Sequence, residues 1–213
     1  MKKLLGIFFL MIAATAQAET KATIGGLVSS NNTTNLIVSV DHSNEQGPWQ
    51  YVLEADYFYS EQKGIVSRDK GFFSAKQNYA LDEKNYVFVV GRYEFDKLRI
   101  PEDKVILGSG HGFKLIRTDK TKLSNELSLG SLKDREGWEP VVRDSIWFSH
   151  KADSKVVFSN KFLVEKGKNT YIRNKTSLDY LLTDTVTVGL SNLYVDDLNN
   201  DNIFTFNIGV QLK

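Results

Sequence analysis

Three histidines could serve a nucleophilic site as its general base in this 213-residue chain: His42, His111 and His150. Ser43 follows His42, and a Ser–His pair supports acyl transfer when a third group orients the imidazole. Neighbouring residues of a strand point to opposite faces, so His42 and Ser43 would not meet. We therefore predict that His42 is a polar residue beside a turn, that His111 lies on an outer strand face and that His150 ends a strand. An enzyme that modifies lipids stays open as an alternative.

A second segment is rich in the oxygen donors that bind Ca²⁺. Residues 196–202 read Asp-Asp-Leu-Asn-Asn-Asp-Asn, but they lack the ligand spacing and the bidentate Glu of an EF-hand. The same composition is typical of an exposed hairpin loop. We predict such a loop, with no metal and no cofactor. The chain has no cysteine, which excludes disulfides, thiol chemistry and a lipoprotein anchor.

The elements that must position these groups are β-strands, because apolar and polar residues alternate with a period of two. In the last segment one face carries Phe204, Phe206, Ile208, Val210 and Leu212, and the other carries Thr205, Asn207, Gly209 and Gln211. Residues 49–60, 86–95 and 169–182 alternate in the same way. In all, the pattern predicts twelve strands, near residues 22–30, 35–43, 49–60, 70–81, 86–95, 104–116, 121–131, 141–150, 156–165, 169–182, 186–195 and 202–213.

The apolar faces of these strands point inward in a soluble barrel or sandwich and outward to lipid in a membrane barrel. Segments of about ten residues or more suit a tilted span of the bilayer. Aromatic residues also mark the ends of the apolar faces, as in the interfacial girdles of membrane barrels: Trp49, Tyr57, Tyr59, Tyr79, Tyr180 and Tyr194. We therefore predict an all-β fold, a single antiparallel transmembrane β-barrel of about twelve strands, with a soluble periplasmic β-protein as the alternative.

Loop lengths point the same way. Short connections are predicted at residues 44–48, 82–85, 118–121, 151–155 and 183–185. The connections at the opposite side of the membrane are mostly longer and include 61–71, 94–103 and 132–140. Two of them, 31–34 and 165–169, are short exceptions. Outer-membrane barrels have short periplasmic turns and longer external loops. An even strand number would place both termini in the periplasm.

The polar faces would then line the lumen. The predicted lumen-lining residues are Glu54, Asp56, Lys76, Arg92, Glu94, Lys114, Glu126, Arg173, Lys175 and Asp179, and the same phasing adds Arg143 and Lys161. Charges inside a barrel must be paired or hydrated. Ion pairs across the lumen would close it, whereas a narrow aqueous path with a slight excess of cations would favour anions. We favour a filled lumen, because open channels belong to barrels of about sixteen strands.

The start of the chain predicts export. Lys2 and Lys3 precede an apolar run from Leu4 to Ala14, and Ala16-Gln17-Ala18 follows it. These are the parts of a secretory signal peptide, and the run is too short for a transmembrane helix. We predict a signal peptide over residues 1–18, cleavage after Ala18 and a barrel over residues 19–213. The near balance of 27 Lys+Arg against 26 Asp+Glu gives no reason to expect a nucleic-acid partner.

Four motifs follow one another along the mature chain: Gly26 to Thr33, Trp49 to Ser60, Gly91 to Leu98, and a glycine ladder from Gly108 to Leu115. Together they resemble the salt-induced outer-membrane proteins, a family of undetermined function. Asn31 stands where the family usually has Gly, and Lys213 stands where outer-membrane barrels commonly end in an aromatic residue that assists assembly. The resemblance implies a barrel in the outer membrane of a Gram-negative bacterium and brings no activity with it.

Three hypotheses of function follow. The first is a stress-related envelope barrel with a polar, largely filled lumen, and it is not an enzyme. The second is a narrow passive channel for small solutes, and the third is the lipid-modifying enzyme. The expected partners are the lipids of the outer membrane and, during biogenesis, the outer-membrane assembly machinery. The oligomeric state is left open.

Overall fold

Twelve β-strands make up the fold in a computed structural model, which describes residues 18–29, 33–98, 103–196 and 200–212. Their bounds are β1 Ala18–Ser29, β2 Thr33–Gln46, β3 Trp49–Gln62, β4 Ile65–Ala80, β5 Asn85–Asp96, β6 Asp103–Arg117, β7 Thr121–Asp134, β8 Gly137–Lys151, β9 Val156–Lys166, β10 Thr170–Leu181, β11 Val186–Asp196 and β12 Asn200–Leu212. All twelve predicted strands are present. In the described residues no helix is long and apolar enough to cross a membrane.

The strands close into one antiparallel barrel. Each strand pairs with its neighbours in sequence, and β1 pairs with β12, where Ile24 stands opposite Ile208. Closure leaves no unpaired sheet edge, which a structure surrounded by lipid requires. We call the end of the barrel that holds Ala18 and Leu212 the terminal end, and the opposite end the distal end. The predicted fold class is confirmed.

The two faces of the wall differ as the alternation predicts. Phe204, Phe206 and Ile208 are 64%, 50% and 55% exposed on the outer face. Arg92 and Asp56 are only 4% and 6% exposed, because they point into the barrel. An apolar outer surface around a polar interior is the arrangement of a membrane barrel and the inverse of a soluble one.

Aromatic side chains mark both ends of the outer surface. Trp49 packs edge-on against Tyr79 near the terminal end, with ring centroids 4.7 Å apart. Tyr57 stacks on Phe95 near the distal end, at 6.3 Å between ring centroids. Amphipathic rings at two levels are expected where the barrel crosses the two interfaces of a bilayer.

The predicted asymmetry of loop lengths is wrong. Segment 61–71 is mostly strand, since β3 ends at Gln62 and β4 begins at Ile65. Lys63 and Gly64 make the turn between them with φ of 51° and 78°, the left-handed pair of a type I′ hairpin. Segment 132–140 is likewise strand except for residues 135–136. Tight hairpin turns therefore take the place of the predicted loops. The strands continue up to these turns as two-stranded ribbons. Part of segment 94–103 lies outside the described residues.

Side-chain caps close the turns of the terminal end. The Asp153 carboxylate accepts the backbone N–H groups of Lys155 and Val156, at 2.7 and 2.8 Å. These two bonds hold the pKa of Asp153 below its ordinary value. The Thr183 hydroxyl caps the next turn along the chain by accepting the N–H of Val186 at 3.0 Å. Such local bonds favour a tight turn over other backbone conformations.

Candidate functional site in the barrel lumen

An ion pair crosses the lumen from wall to wall. The Lys161 ammonium, on β9, donates to Glu54 Oε1, on β3, at 2.6 Å. Strands β4–β8 separate β3 from β9 on one side, and β10–β12, β1 and β2 separate them on the other, so the two strands face each other. Lys161 also reaches Asp41 Oδ1 at 3.2 Å. Since Lys161 is the middle residue of its strand, the contact lies near mid-height.

A second group joins β3 to β10. Asp56 forms ion pairs with Arg173 and, at 3.3 Å, with Lys175. The Arg173 guanidinium also lies over the Phe72 ring, 4.1 Å from its centroid. Lys175 in addition donates to the Ser39 hydroxyl at 3.2 Å. Buried Asp56 therefore has two cations to compensate for its lost hydration.

Arg92 is the centre of a third group, nearer the distal end. It pairs with Glu165 from β9 and, at 2.9 Å, with Glu94 of its own strand. Its guanidinium also lies 5.5 Å from the centroid of the Tyr171 ring. Arg143 lies 3.9 Å from Glu165, so two guanidinium groups share that carboxylate. Arginine suits such a site because its planar group can pair and stack at once.

A fourth group involves Glu126 and the glycine ladder. Lys76 Nζ and the Tyr86 hydroxyl donate to Glu126 Oε1 at 2.5 and 2.6 Å. The rings of Tyr86 and Phe88 lie against β6 where it carries inward-facing glycines; a Cβ at Gly110 would come within 2.8 Å of Phe88 Cζ, and one at Gly112 would fall on the Tyr86 ring. The glycines therefore make room for the aromatic side chains that support Glu126.

Apolar side chains fill another part of the interior. Ile37, Phe58, Leu193 and Val195 form a buried cluster, against which Tyr171 packs. Tyr86, Phe88 and Val90 form a second one. Neither cluster was predicted from the sequence. The signal was present, because residues 36–38, 57–59 and 86–90 are unbroken apolar or aromatic runs, which leave both faces of a strand apolar.

The structure places the ten predicted lumen residues on the inner face, and eight of them enter the ion pairs just described. Lys114 lies 5.7 Å from the Tyr86 ring centroid, and Asp179 accepts a hydrogen bond from Ser177. Asp41 and Glu165 are further inner carboxylates that the sequence analysis missed. They bring the five predicted acids to seven, beside the seven predicted cations.

A pocket lies beside the ion pairs and is partly open to solvent; it has about 80 Å³ of space for the centres of water-sized spheres. Short polar side chains line it, among them Ser39, Ser159, Ser177 and Ser191. Lys161 and Lys175 border it on the side of the acidic groups. The serine and lysine side chains give part of the pocket a polar wall that suits water, and Ile37, Phe58 and Leu193 form an apolar part of the lining.

The histidines lie apart from one another on β2, β6 and β8. His42 stands in β2 opposite Leu53, inside the strand and not beside the turn as predicted, because that turn consists of residues 47–48 only. The His111 ring packs at a tilt of 57° against the ring of outward-facing Phe113, with 4.3 Å between ring centroids, and His150 lies next to the end of β8. No cluster of three potential metal ligands exists in the parts of the chain that the structure describes, which omit residues 197–199 of the predicted loop.

These features define an integral outer-membrane type of β-barrel with a charged interior. Residues 22–209 match the family described as "Protein of unknown function, DUF481", and the chain belongs to this family. No curated protein sequence matches it.

Solved outer-membrane barrels share the fold. The NanC porin is 14% identical with a TM-score of 0.56, covering 92% of this chain and 99% of its own. The KdgM porin is 10% identical with a TM-score of 0.51, covering 93% and 99%. An outer membrane channel from Pseudomonas putida F1 is 8% identical with a TM-score of 0.52, covering 93% and 96%. At these identities the likeness concerns the fold alone.

Proposed function

We propose that this protein is a non-enzymatic envelope barrel whose lumen is closed at mid-height by ion pairs between opposite walls. The observation that carries the proposal is the contact between Glu54 and Lys161 across the barrel. The ten predicted lumen residues serve in it as the structural lining of a filled interior. Two apolar clusters and the Phe72 ring, which lies against the Arg173 guanidinium, occupy further space.

The energetics support a closed ground state. Separating a buried or half-buried ion pair leaves both charges poorly solvated, so each pair resists opening. The pairs share residues: Asp56 contacts two cations, and Glu165 contacts two guanidinium groups. Opening a path through the lumen would therefore disrupt several contacts together.

Flux into liposomes tests the closed lumen. Liposomes that contain the purified barrel should swell in isotonic arabinose no faster than empty liposomes. Rapid swelling would contradict the proposal and support the second candidate, a narrow channel. The pocket beside Lys161 and Lys175, with its serine side chains, is the observation that favours that candidate.

The remaining parts of the proposal rest on the sequence. A signal peptide ending at Ala18 would export the chain, the assembly machinery would insert it with both termini in the periplasm, and the resemblance to salt-induced proteins suggests that salt stress raises its expression. Cell fractionation with gels of boiled and unboiled samples tests insertion, since folded barrels migrate differently after heating. Mass spectrometry of the mature N-terminus tests cleavage, and transcript levels after a salt shift test induction.

A further inference from the structure

A group of polar side chains interrupts the apolar outer surface on one side of the barrel. We call them the outer polar patch, and they lie on the five adjacent strands β7–β11: Asn125, Asp144, Asn160, Asn174, Thr176 and Asn192. Each is in phase with outward apolar residues of its own strand. Asp144 lies between Val142 and Ile146, and Asn192 follows Leu190, all three of which are exposed.

The patch lies at the level of the hydrocarbon. Asp144 is the middle residue of β8, and its cross-strand neighbours are Leu127 and Val164. Asn160 and Asn192 lie next to the middle residues of β9 and β11. A carboxylate or an amide there destabilises a membrane barrel unless its donors and acceptors are satisfied.

Contacts within the patch satisfy only part of these groups. Asn125 Nδ2 donates to Asp144 Oδ1 at 2.7 Å. Asn160 Nδ2 donates to Asn174 Oδ1 at 2.6 Å and to the Thr176 hydroxyl at 2.8 Å. Among the described residues, Asp144 Oδ2 and Asn174 Nδ2 have no partner. Asp144 Oδ2 on β8 and Asn174 Nδ2 on β10 are therefore an unsatisfied acceptor and an unsatisfied donor, with β9 between them.

We propose that the outer polar patch is the surface on which a second copy of this chain docks within the membrane. A two-fold axis through β9 places Asn174 Nδ2 of each copy against Asp144 Oδ2 of the other. A two-fold interface requires such a self-complementary patch, in which the group at one position meets its complement at the other. Lipid tails offer no hydrogen bonds, so they leave both groups unsatisfied.

Cross-linking in liposomes locates the interface. The chain has no cysteine, so a single introduced thiol reports on its own position. Phe162→Cys places the thiol on the outer face of β9 beside the proposed axis and leaves every patch residue intact. Under a membrane-permeant oxidant this variant should form a covalent dimer. The control Gln77→Cys, on β4 across the barrel, should not. Equal cross-linking of both variants would overturn the proposal.

Association measured by energy transfer between labelled copies, diluted stepwise with lipid, gives the affinity. Asp144→Leu and Asn174→Leu should each weaken association about five- to tenfold. Gln77→Leu, which also removes an outward polar group, should leave the affinity unchanged. If the chain stays monomeric at every dilution, or if Asp144→Leu stabilises the barrel without changing association, lipid covers the patch and the proposal fails. Neither result depends on whether the lumen is closed.

Discussion

Glu54 and Lys161 are 107 residues apart in sequence and stand on opposite walls of the barrel, yet their side chains meet at 2.6 Å. Neither is fully buried, with 31% and 43% of the two side chains exposed. The contact is therefore a partly hydrated bridge through the middle of the lumen. Because the contact crosses the middle of the lumen, it blocks a continuous aqueous path through the barrel while it is intact.

Removal of one partner should destabilise the barrel. Lys161→Met leaves Glu54 and Asp41 without their shared cation, and partial exposure limits the loss of unfolding free energy to about 1–2 kcal/mol. Urea unfolding in lipid vesicles measures this. Lys168→Met, which removes an exposed pair with Glu136 at the distal end, is the control and should change stability by less than about 0.5 kcal/mol. Equal losses of unfolding free energy in the two variants would show that the lumen ion pair stabilises the barrel no more than an exposed pair does.

The glycine ladder should not tolerate side chains on its inner face. Gly110→Val would push against Phe88, the backbone of β7 and Ser128, and should cost about 1–3 kcal/mol or block folding. Ser109→Val, one residue away on the outer face, is the matched control and should fold like the parent. The heat-dependent gel shift reports folding. Normal folding of Gly110→Val would contradict the packing of Phe88 onto β6.

Tryptophan quenching should separate the two faces. Trp49 is exposed on the outer surface, whereas Trp147 stands beside inner-facing Lys161. In single-tryptophan variants, brominated lipid should quench Trp49 strongly and Trp147 weakly. Strong quenching of Trp147 with little of Trp49 would mean that the barrel is inside out.

The Asp153 cap should give a pH-dependent contribution to the stability of its turn. Because backbone N–H groups lower the pKa of Asp153 in the folded state, the contribution is present above the ordinary carboxyl pKa of about 3.9 and is lost as pH falls through the lowered value. Asp153→Ala should therefore lower the urea midpoint at pH 7 and have less effect near pH 2. Asp184→Ala, in the next turn, is the control and should change neither midpoint.

How far the sequence predicts this fold depends on which contacts are local. Period-two alternation from Phe204 to Leu212 and its counterparts depends only on neighbouring residues, so strand number and outward faces could be predicted. In β8, Arg143 and Trp147 share the inner face, with Trp147 opposite Lys161, so polar and apolar residues do not alternate cleanly there. The apolar run from Tyr86 to Val90 carried an inner cluster that alternation could not assign.

The contacts of the lumen could not be predicted in the same way. Which carboxylate meets Lys161 or Arg92 depends on ring closure and on the stagger of all twelve strands. Glu165 stood at the edge of a predicted loop, and β9 continues one residue past it, which directs it inward to Arg92. The Lys63–Gly64 turn was missed because the polar residues around it resemble a loop. The left-handed backbone of Lys63 and Gly64 nevertheless pairs the strands on either side of them.

Single-channel recording across planar bilayers tests the closed lumen most directly. The parent barrel should show no stable conductance steps, and Glu54→Ala combined with Lys161→Ala should produce small, discrete ones. The Lys168→Met control should remain silent like the parent. Stable conductance of the parent barrel, unchanged in the double variant, would contradict closure by the pair between Glu54 and Lys161.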